Sequence, residues 1–481
     1  MIRRDVVIVG AGPAGLSAAL TLAERGLRPT LIDENPAVGG QIFRQSVTTS
    51  GTGAIGPSSD DAQRGRQLRR RMGDVQDKIE LLTDTMVWGI FGDKQVAVKC
   101  SDGWQMIHAA HLVLATGAYE YVCPFPGWTL SGVMTPGGAQ SMVKSMGVLP
   151  GKRVLVAGSG PFLLVVAGQL QAAGVEVVGV VEAVRRRDML SQVGGLLACP
   201  AMLRQGWQYI RALKQNGVPL LWGHVVTKAR GDGLVREVEI APCDQQWRPV
   251  SVCRRTVEVD TLCVGYGFVP RSELASLSGC RMQYADELGG WIPEVDTSLQ
   301  TSIDGVWVAG DGAGVAGAVV AEAEGTLVGL RILAELDQFK TSDLIRTEQR
   351  VRARLATLRR FRSALDQIYH VRAGLDDLAT KETIVCRCEE LTLEEVEAAA
   401  HFGGTNQRSL KVMTRLGMGP CQGRMCWPAM ARRIACQTGK CQDAVGPISV
   451  RPPAVPLTIG DLLNESNSLD LQAAEALRVE V

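Results

Sequence analysis

Residues Val6 to Asp33, VVIVGAGPAGLSAALTLAERGLRPTLID, restrict the fold more than any other stretch. They join an apolar run, a glycine turn, a helical pattern and a second apolar run that ends in a carboxylate. Val6 to Val9 suit a buried parallel strand, and Gly10, Gly12 and Gly15 follow in GxGxxG spacing, with Pro13 and Ala14 between them at the helix start. Gly10 permits the tight turn, and Gly12 lets a pyrophosphate approach the backbone. Gly15 lets the helix lie close to the strand, so that its free N–H groups and dipole face the phosphates. Asp33, 23 residues after Gly10, closes the fingerprint as a ribose acceptor, with Glu34 as the neighbouring candidate. This order of elements predicts nucleotide binding, and leaves FAD and NAD to be separated by residues further along.

The 481 residues, 46% of them hydrophobic, are enough for two to four domains. With 51 basic and 50 acidic side chains there is no bulk charge to attract nucleic acid or an anionic membrane. The chain passes from Arg3 and Arg4 directly into the glycine motif, so its first apolar run reads as a strand and not as a signal peptide. The most apolar region, 154–184, is broken by Gly158, Gly160, Gln169, Gln171 and Glu176 and reads as strand, helix and strand, not as a membrane span. Thirteen cysteines without a secretory signal predict reduced thiols and metal ligands in a cytoplasmic protein.

Along the chain, GGQIFRQ (39–45, with Gly40 and Gln41) precedes a polar 46–59 segment that reads as an excursion loop. A helix is expected over Arg64 to Lys78 and a strand over Ile79 to Val87, where the backbone at Val87 can meet an adenine. Gln95 to Cys100 and Trp104 to His108 read as a hairpin, and His111 to Ala115 as a separate strand ending in Thr116-Gly117. PFPGW, Pro124 to Trp128, marks a linker.

A second unit of the same kind starts at Val154, with Gly158 and Gly160 in its turn and Glu182 closing the next strand. Leu163 replaces the third glycine, and its side chain is expected to push the helix off the strand and weaken the site. Arg185 to Arg187 read as a solvated turn. Asp260 to Tyr266 returns to a buried strand, and VWVAGDG (306–312) leads into a helix over 313–336. Asp311, between strand end and helix start, can bond a ribityl or phosphate-linking hydroxyl, and the helix start can favour an anionic reduced flavin.

A first glycine motif near residue 10, a second near 158 and a return through Gly-Asp near 311 resemble the two-dinucleotide-domain fold of the thioredoxin and glutathione reductases. The resemblance implies an α/β flavoprotein. Its FAD domain would cover 1–125 and 285–338, with an inserted NAD(P)-type Rossmann-like domain at 150–270. It implies FAD contacts at Gly10, Gly12, Gly15, Asp33, Gly40, Gln41, Thr116, Gly117 and Asp311. No CxxC or CxxxxC pair occurs near Gly40 or in the inserted unit, so disulfide-reductase chemistry has no nucleophile.

Residues 340–380 read as a helical bridge. Beyond it Cys386 and Cys388 form a CxC, and Cys421 and Cys426 a second pair, with 32 residues between Cys388 and Cys421. Four such thiolates suit zinc or an iron–sulfur cluster. CRCEELTLEEVEAA and GMGPCQGRMC resemble the [2Fe–2S] domain of bacterioferritin-associated ferredoxin. That resemblance implies a C-terminal cluster domain at 381–445 followed by a tail at 446–481. Arg387 and Arg424 would offset the charge of a thiolate-bound cluster. Cys436 and Cys441, like Cys123, Cys199 and Cys263, read as ordinary thiols.

Taken together, GGQIFRQ, ATGAYEYVCPFPGWTLSGVMTPGGAQ, GSGPFLL, the cysteine segment and RPPAVPLTIGDL resemble the larger subunit of the opine oxidases, with D-hydroxyproline dehydrogenase and hydrogen cyanide synthase as relatives. In such complexes a glycine-oxidase-like flavoprotein subunit oxidises the amine. A small ferredoxin-like chain is sometimes present, and an FMN can sit between subunits. Tyr121 stands where many relatives carry an arginine. None of the five histidines has a catalytic setting, and no residue reads as a base for amine oxidation. The resemblance implies an electron-transfer subunit of a heteromeric opine, amino-acid or secondary-amine dehydrogenase, with electrons passing through FAD and [2Fe–2S] to an acceptor. Two other readings stay open: a stand-alone NAD(P)H-dependent reductase of a ferredoxin-like acceptor, with NAD(P) or another adenine nucleotide in the second site, and a zinc-stabilised docking module.

Overall fold

The computed structural model describes residues 2–44, 60–101, 103–250, 253–336 and 342–463. The expected loop over 46–59, Gln45 and the end of the tail from 464 lie outside the described residues.

Strands Ile2–Val9, Thr30–Ile32 and Glu80–Leu82 lie parallel, and Ile2–Val9 pairs on its other edge with Gly103–Leu114, which in turn holds Val306–Val308. Val6 to Val9 are buried on both faces, which is why their sequence is continuously apolar instead of alternating. Met86–Phe91 and Gln95–Cys100 extend the sheet antiparallel on the far side. The expected hairpin strand and the expected strand at 111–115 are one twelve-residue strand, Gly103–Leu114. Its first half alternates between buried and half-buried positions along the antiparallel edge. Its last three residues are all buried between parallel neighbours, so one element carries two hydrophobic patterns. The expected strand over 79–87 divides into Glu80–Leu82 and Met86–Phe91, because the chain turns at Asp84, which has φ +48°.

The second sheet runs Leu220–Trp222, Glu176–Glu182, Arg153–Gly158, Thr261–Gly265, Val133–Met134, all parallel. A three-stranded antiparallel sheet, His224–Arg230, Glu237–Pro242 and Arg255–Glu258, stands beside it. Leu163 is only 2% exposed and packs with Val154, Val156 and Val180 in this unit's core, so the side chain in place of the third glycine is absorbed as core.

Helix Ser342–Tyr369 ties the parts together. Leu355 and Leu358 enter the core that holds Leu16 and Leu20, whereas Phe361, Ala364 and Ile368 enter another with Val181 and Tyr266. After it come strand Ile384–Cys386 and helices Leu393–His401, Gln407–Thr414 and Trp427–Thr438. Thr392 starts the first of these as a capping box, its hydroxyl accepting from the Glu395 amide while the Glu395 carboxylate accepts from the Thr392 amide. Val385, Val396, Trp427 and Ile434 share one apolar core with Tyr121, Phe125 and Trp128, and the Trp128 indole N–H donates to the Ile384 carbonyl at 2.6 Å. Among the described residues no helix is long and apolar enough to cross a membrane.

Candidate functional site

The glycine turn after Val9 collects most of the residues singled out from the sequence. The Gly10 amide donates to Ile32 O at 2.8 Å, and a Cβ on Gly15 would overlap the Gly10 carbonyl oxygen, so helix Pro13–Ala23 starts hard against the turn. No side chain caps that helix, which leaves its first amides facing outward. The Gly39 amide bonds Ala11 O at 2.8 Å, and a Cβ at Gly12 would lie 3.9 Å from the Gly40 Cα. A Cβ at Gly312 would lie 2.9 Å from Thr116 Oγ1, and one at Gly310 3.0 Å from the Ala14 Cβ. Gly10, Gly12, Gly40, Thr116, Gly117 and the Gly310–Ala313 turn are therefore one cradle. Gln41 is exposed at its rim.

The acidic residues are held by the backbone. Asp33 Oδ2 accepts from the Ala11 amide at 2.6 Å, and Oδ1 from the Asn35 amide at 2.8 Å. The Thr85 amide bonds the Asp33 carbonyl at 2.9 Å, which brings the chain leading to Val87 beside it. Asp311 uses one oxygen, Oδ1, for the Ala316 and Gly317 amides at 2.9 and 2.8 Å, immediately before helix Ala318–Glu335. Glu34 meets Arg271 at 2.8 Å. Burial pushes its carboxyl up, but Arg271 outweighs that and holds it below the usual range.

In the second unit the Glu182 carboxylate accepts from the amides of Gly160 at 2.9 Å and Val184 at 3.0 Å. Burial pushes this carboxyl up to about 7 against those bonds. A cavity of about 220 Å³ opens over Gly160 and Phe162, roofed by Arg362, Asp366 and Tyr369 of the bridging helix.

The four cysteines come together as two pairs. Cys386 and Cys426 interact, which pulls the Cys386 thiol down to about 6 and pushes the Cys426 thiol up; Cys388 interacts with Cys421. The amides of Cys388, Glu389 and Gly417 also point at the Cys386 sulfur. A Cβ on Gly419 would overlap the Cys388 Cβ, so a glycine is required where the two segments meet. Among the described residues no three His, Cys, Asp or Glu side chains are gathered for a single metal ion. Arg387 is exposed. Arg424 does not face the thiols alone: its Nε donates to Glu273 Oε1 at 2.6 Å and its Nη2 to Ala454 O at 2.7 Å. Cys436 and Cys441 are exposed and stand apart from these pairs in the sequence.

Arg271, Glu273 and Tyr119 are not legible as site residues in the sequence. Only GFVPR, the segment ending at Arg271, stands out there, as the continuation of a strand. Tyr119 lies within electrostatic reach of Glu273, Arg424, Arg271 and Cys421, and burial followed by Glu273 pushes its phenol up.

Residues 4–325 match the family model for pyridine nucleotide-disulphide oxidoreductases, two thirds of the chain. The chain belongs to that family. Residues 380–465 match the sarcosine oxidase A3 domain. Over its whole length this family member is similar to two sets of curated proteins. It is 37% identical over 461 residues to the HcnB subunit of hydrogen cyanide synthase from Pseudomonas aeruginosa, covering 95% of this chain and 98% of that one. It is 33% identical over 473 residues to an opine oxidase subunit of Rhizobium meliloti, covering 95% and 98%. Among solved structures, L-proline dehydrogenase from P. horikoshii has the same fold, with a TM-score of 0.68 at 22% identity over 96% of this chain and 79% of that one.

Proposed function

We propose that this oxidoreductase is the FAD- and [2Fe–2S]-bearing electron-transfer subunit of a heteromeric amine, amino-acid or opine dehydrogenase, in which a glycine-oxidase-like subunit removes the electrons from the substrate. The observation that carries this reading is the direct tie between the cradle and the cysteines. Glu34, beside the ribose candidate Asp33, pairs with Arg271; two residues on, Glu273 pairs with Arg424, which sits between Cys421 and Cys426. Full-length similarity to proteins named as subunits of hydrogen cyanide synthase and opine oxidase supports the heteromeric part.

The residues fit both groups. The outward amides at Pro13–Ala23 and the open face of Gly12 suit a pyrophosphate; Asp33 and the second oxygen of Asp311 suit ribose and ribityl hydroxyls; and Thr116, Gly117, Gly40 and Gln41 would hold the rest of an FAD. Two thiol pairs suit two irons held by two cysteines each. FAD would supply a two-electron acceptor and the cluster a one-electron outlet. Amides directed at Cys386 would stabilise negative charge there. Gly160, whose amide Glu182 holds, lines the second cavity together with Arg362, Asp366 and Tyr369, and this is where a second nucleotide would lie.

The test is an anaerobic absorbance titration of the FAD-loaded chain with NADH and NADPH, followed by addition of the amine-oxidising partner with its amine. The expected result is no bleaching by either nucleotide and full bleaching once partner and amine are present. Rapid bleaching at stoichiometric NAD(P)H would instead make the chain a self-sufficient reductase.

A further inference from the structure

From Met189 to Gly231 the chain contains no aspartate and no glutamate, although its charges balance over the whole length. The first part of this stretch, with the turn before it, builds an outer layer on the inserted unit. The layer consists of the short helices Arg186–Leu190 and Val193–Leu196 and then helix Pro200–Gln215. Met189, Leu196, Ala198, Met202 and Leu203 all pack inward on the core that holds Val184, Phe361 and Ala364. Tyr209 and Leu213 continue the inner side: a Cβ on Gly168 would lie 3.3 Å from the Tyr209 ring, and Leu213 shares a core with Leu163 and Leu170.

The residues between these inward ones are left on the outer side. Leu190 is 72% exposed, Leu197 60%, Trp207 57% and Val193 44%. A single exposed leucine is ordinary, but four large apolar side chains on one layer are not. The charges beside them have one sign. Arg204, Trp207, Arg211 and Lys214 recur every three or four residues, so they share one exposed side of their helix. The Arg211 guanidinium lies 5.3 Å from the Trp207 ring centroid. Arg186 and Arg187 are exposed on the first short helix. Arg360 is exposed where the bridging helix passes the second one, its carbonyl 3.5 Å from where a Gly195 Cβ would stand. The one carboxylate of the layer, Asp188, is held by Arg185 at 2.8 Å, and helix Phe162–Ala172 behind Pro200–Gln215 carries no charge. Cations around leucine and tryptophan match an anionic bilayer surface. Lipid phosphates meet the guanidinium and ammonium groups, the indole suits headgroup depth, and the leucines reach the acyl boundary. A nucleic acid would use the charges and leave the leucines in water.

We infer that this face of the inserted unit lies on an anionic lipid bilayer as a peripheral contact. The inference stands apart from the electron-transfer reading.

The experiment is flotation of the full chain with vesicles of phosphatidylcholine alone and of phosphatidylcholine mixed equally with phosphatidylglycerol. The chain should float with the mixed vesicles, bind phosphatidylcholine at least about tenfold more weakly, and leave the mixed vesicles as salt is raised. Leu190→Ser with Leu197→Ser removes apolar contact, and Arg204→Glu with Arg211→Glu reverses charge. Each pair should weaken binding by about tenfold or more, at the wild-type unfolding temperature. No flotation with the mixed vesicles overturns the inference and leaves an acidic protein as the occupant. Equal binding to both vesicle types, or wild-type binding by either double variant, overturns it as well. If a double variant unfolds early, the two vesicle types and the salt series on the wild type decide alone. No amine, partner subunit or acceptor enters the assay, so failure here leaves the electron-transfer reading untouched.

Discussion

Arg424 and Glu273 are 151 residues apart in the chain, yet Nε of one lies 2.6 Å from Oε1 of the other, with both side chains largely withdrawn from solvent. This pair, with the Ala454 carbonyl as a second acceptor, pins the loop between Cys421 and Cys426 to the segment that also carries Arg271. Glu273→Gln leaves the guanidinium with one carbonyl and a weaker acceptor. The expected cost is about 2 kcal/mol of attachment of the cysteine region, a hydrogen bond to a charged group in a poorly solvated site. Urea unfolding followed by cluster absorbance should shift to a lower midpoint, and an unchanged midpoint would remove the pair from any anchoring role.

Gly419→Ala tests whether the cysteine pairs hold metal. The added methyl would overlap the Cys388 Cβ and lie 3.2 Å from its sulfur, so the two segments must part. Iron and acid-labile sulfide per chain should fall from about two to near zero, while the flavin content stays at the wild-type value. Absence of iron and sulfide from the wild type would show that the thiols do not close round a cluster, and their retention in the variant would show that Gly419 is not required for closure.

Gly12→Ala separates ligand space from fold. A Cβ there meets nothing of the protein closer than the Gly40 Cα at 3.9 Å, and the backbone at φ −74° suits alanine. The variant should unfold at the wild-type temperature and lose FAD affinity by more than about tenfold, because the methyl occupies the face offered to the pyrophosphate. Normal FAD content would move the cofactor away from this turn.

Glu182 makes stability depend on pH. Its folded value, about 7, lies above the ordinary 4.5, with burial as the main cause. The folded state therefore binds the proton more tightly, and the contribution is fully present below 4.5 and is lost as pH rises to about 7. The loss approaches ~3 kcal/mol. Denaturation midpoints of Glu182→Gln across this range should be flatter than those of the wild type, and parallel curves would count against it.

The two glycine motifs and their closing acids, the two strand–helix–strand units and the four cysteines were legible because each is set by neighbours in the chain. A turn that needs glycine, a continuous apolar run for a doubly covered strand, and a CxC are local demands that leave local marks. Where two environments act on one element the marks mislead. Gly103–Leu114 reads as two strands because its halves face different neighbours.

The sequence by itself thus determined the two strand–turn–helix units with their glycine turns and the places of the four cysteines along the chain. Tertiary structure alone decided how they are joined: Glu34 to Arg271, Glu273 to Arg424, and the two thiol pairs. The physical reason is one of range. A turn or a strand is specified within a few residues, whereas an ion pair or a cavity depends on where separately folded segments stop against each other, and no spacing within either segment records that.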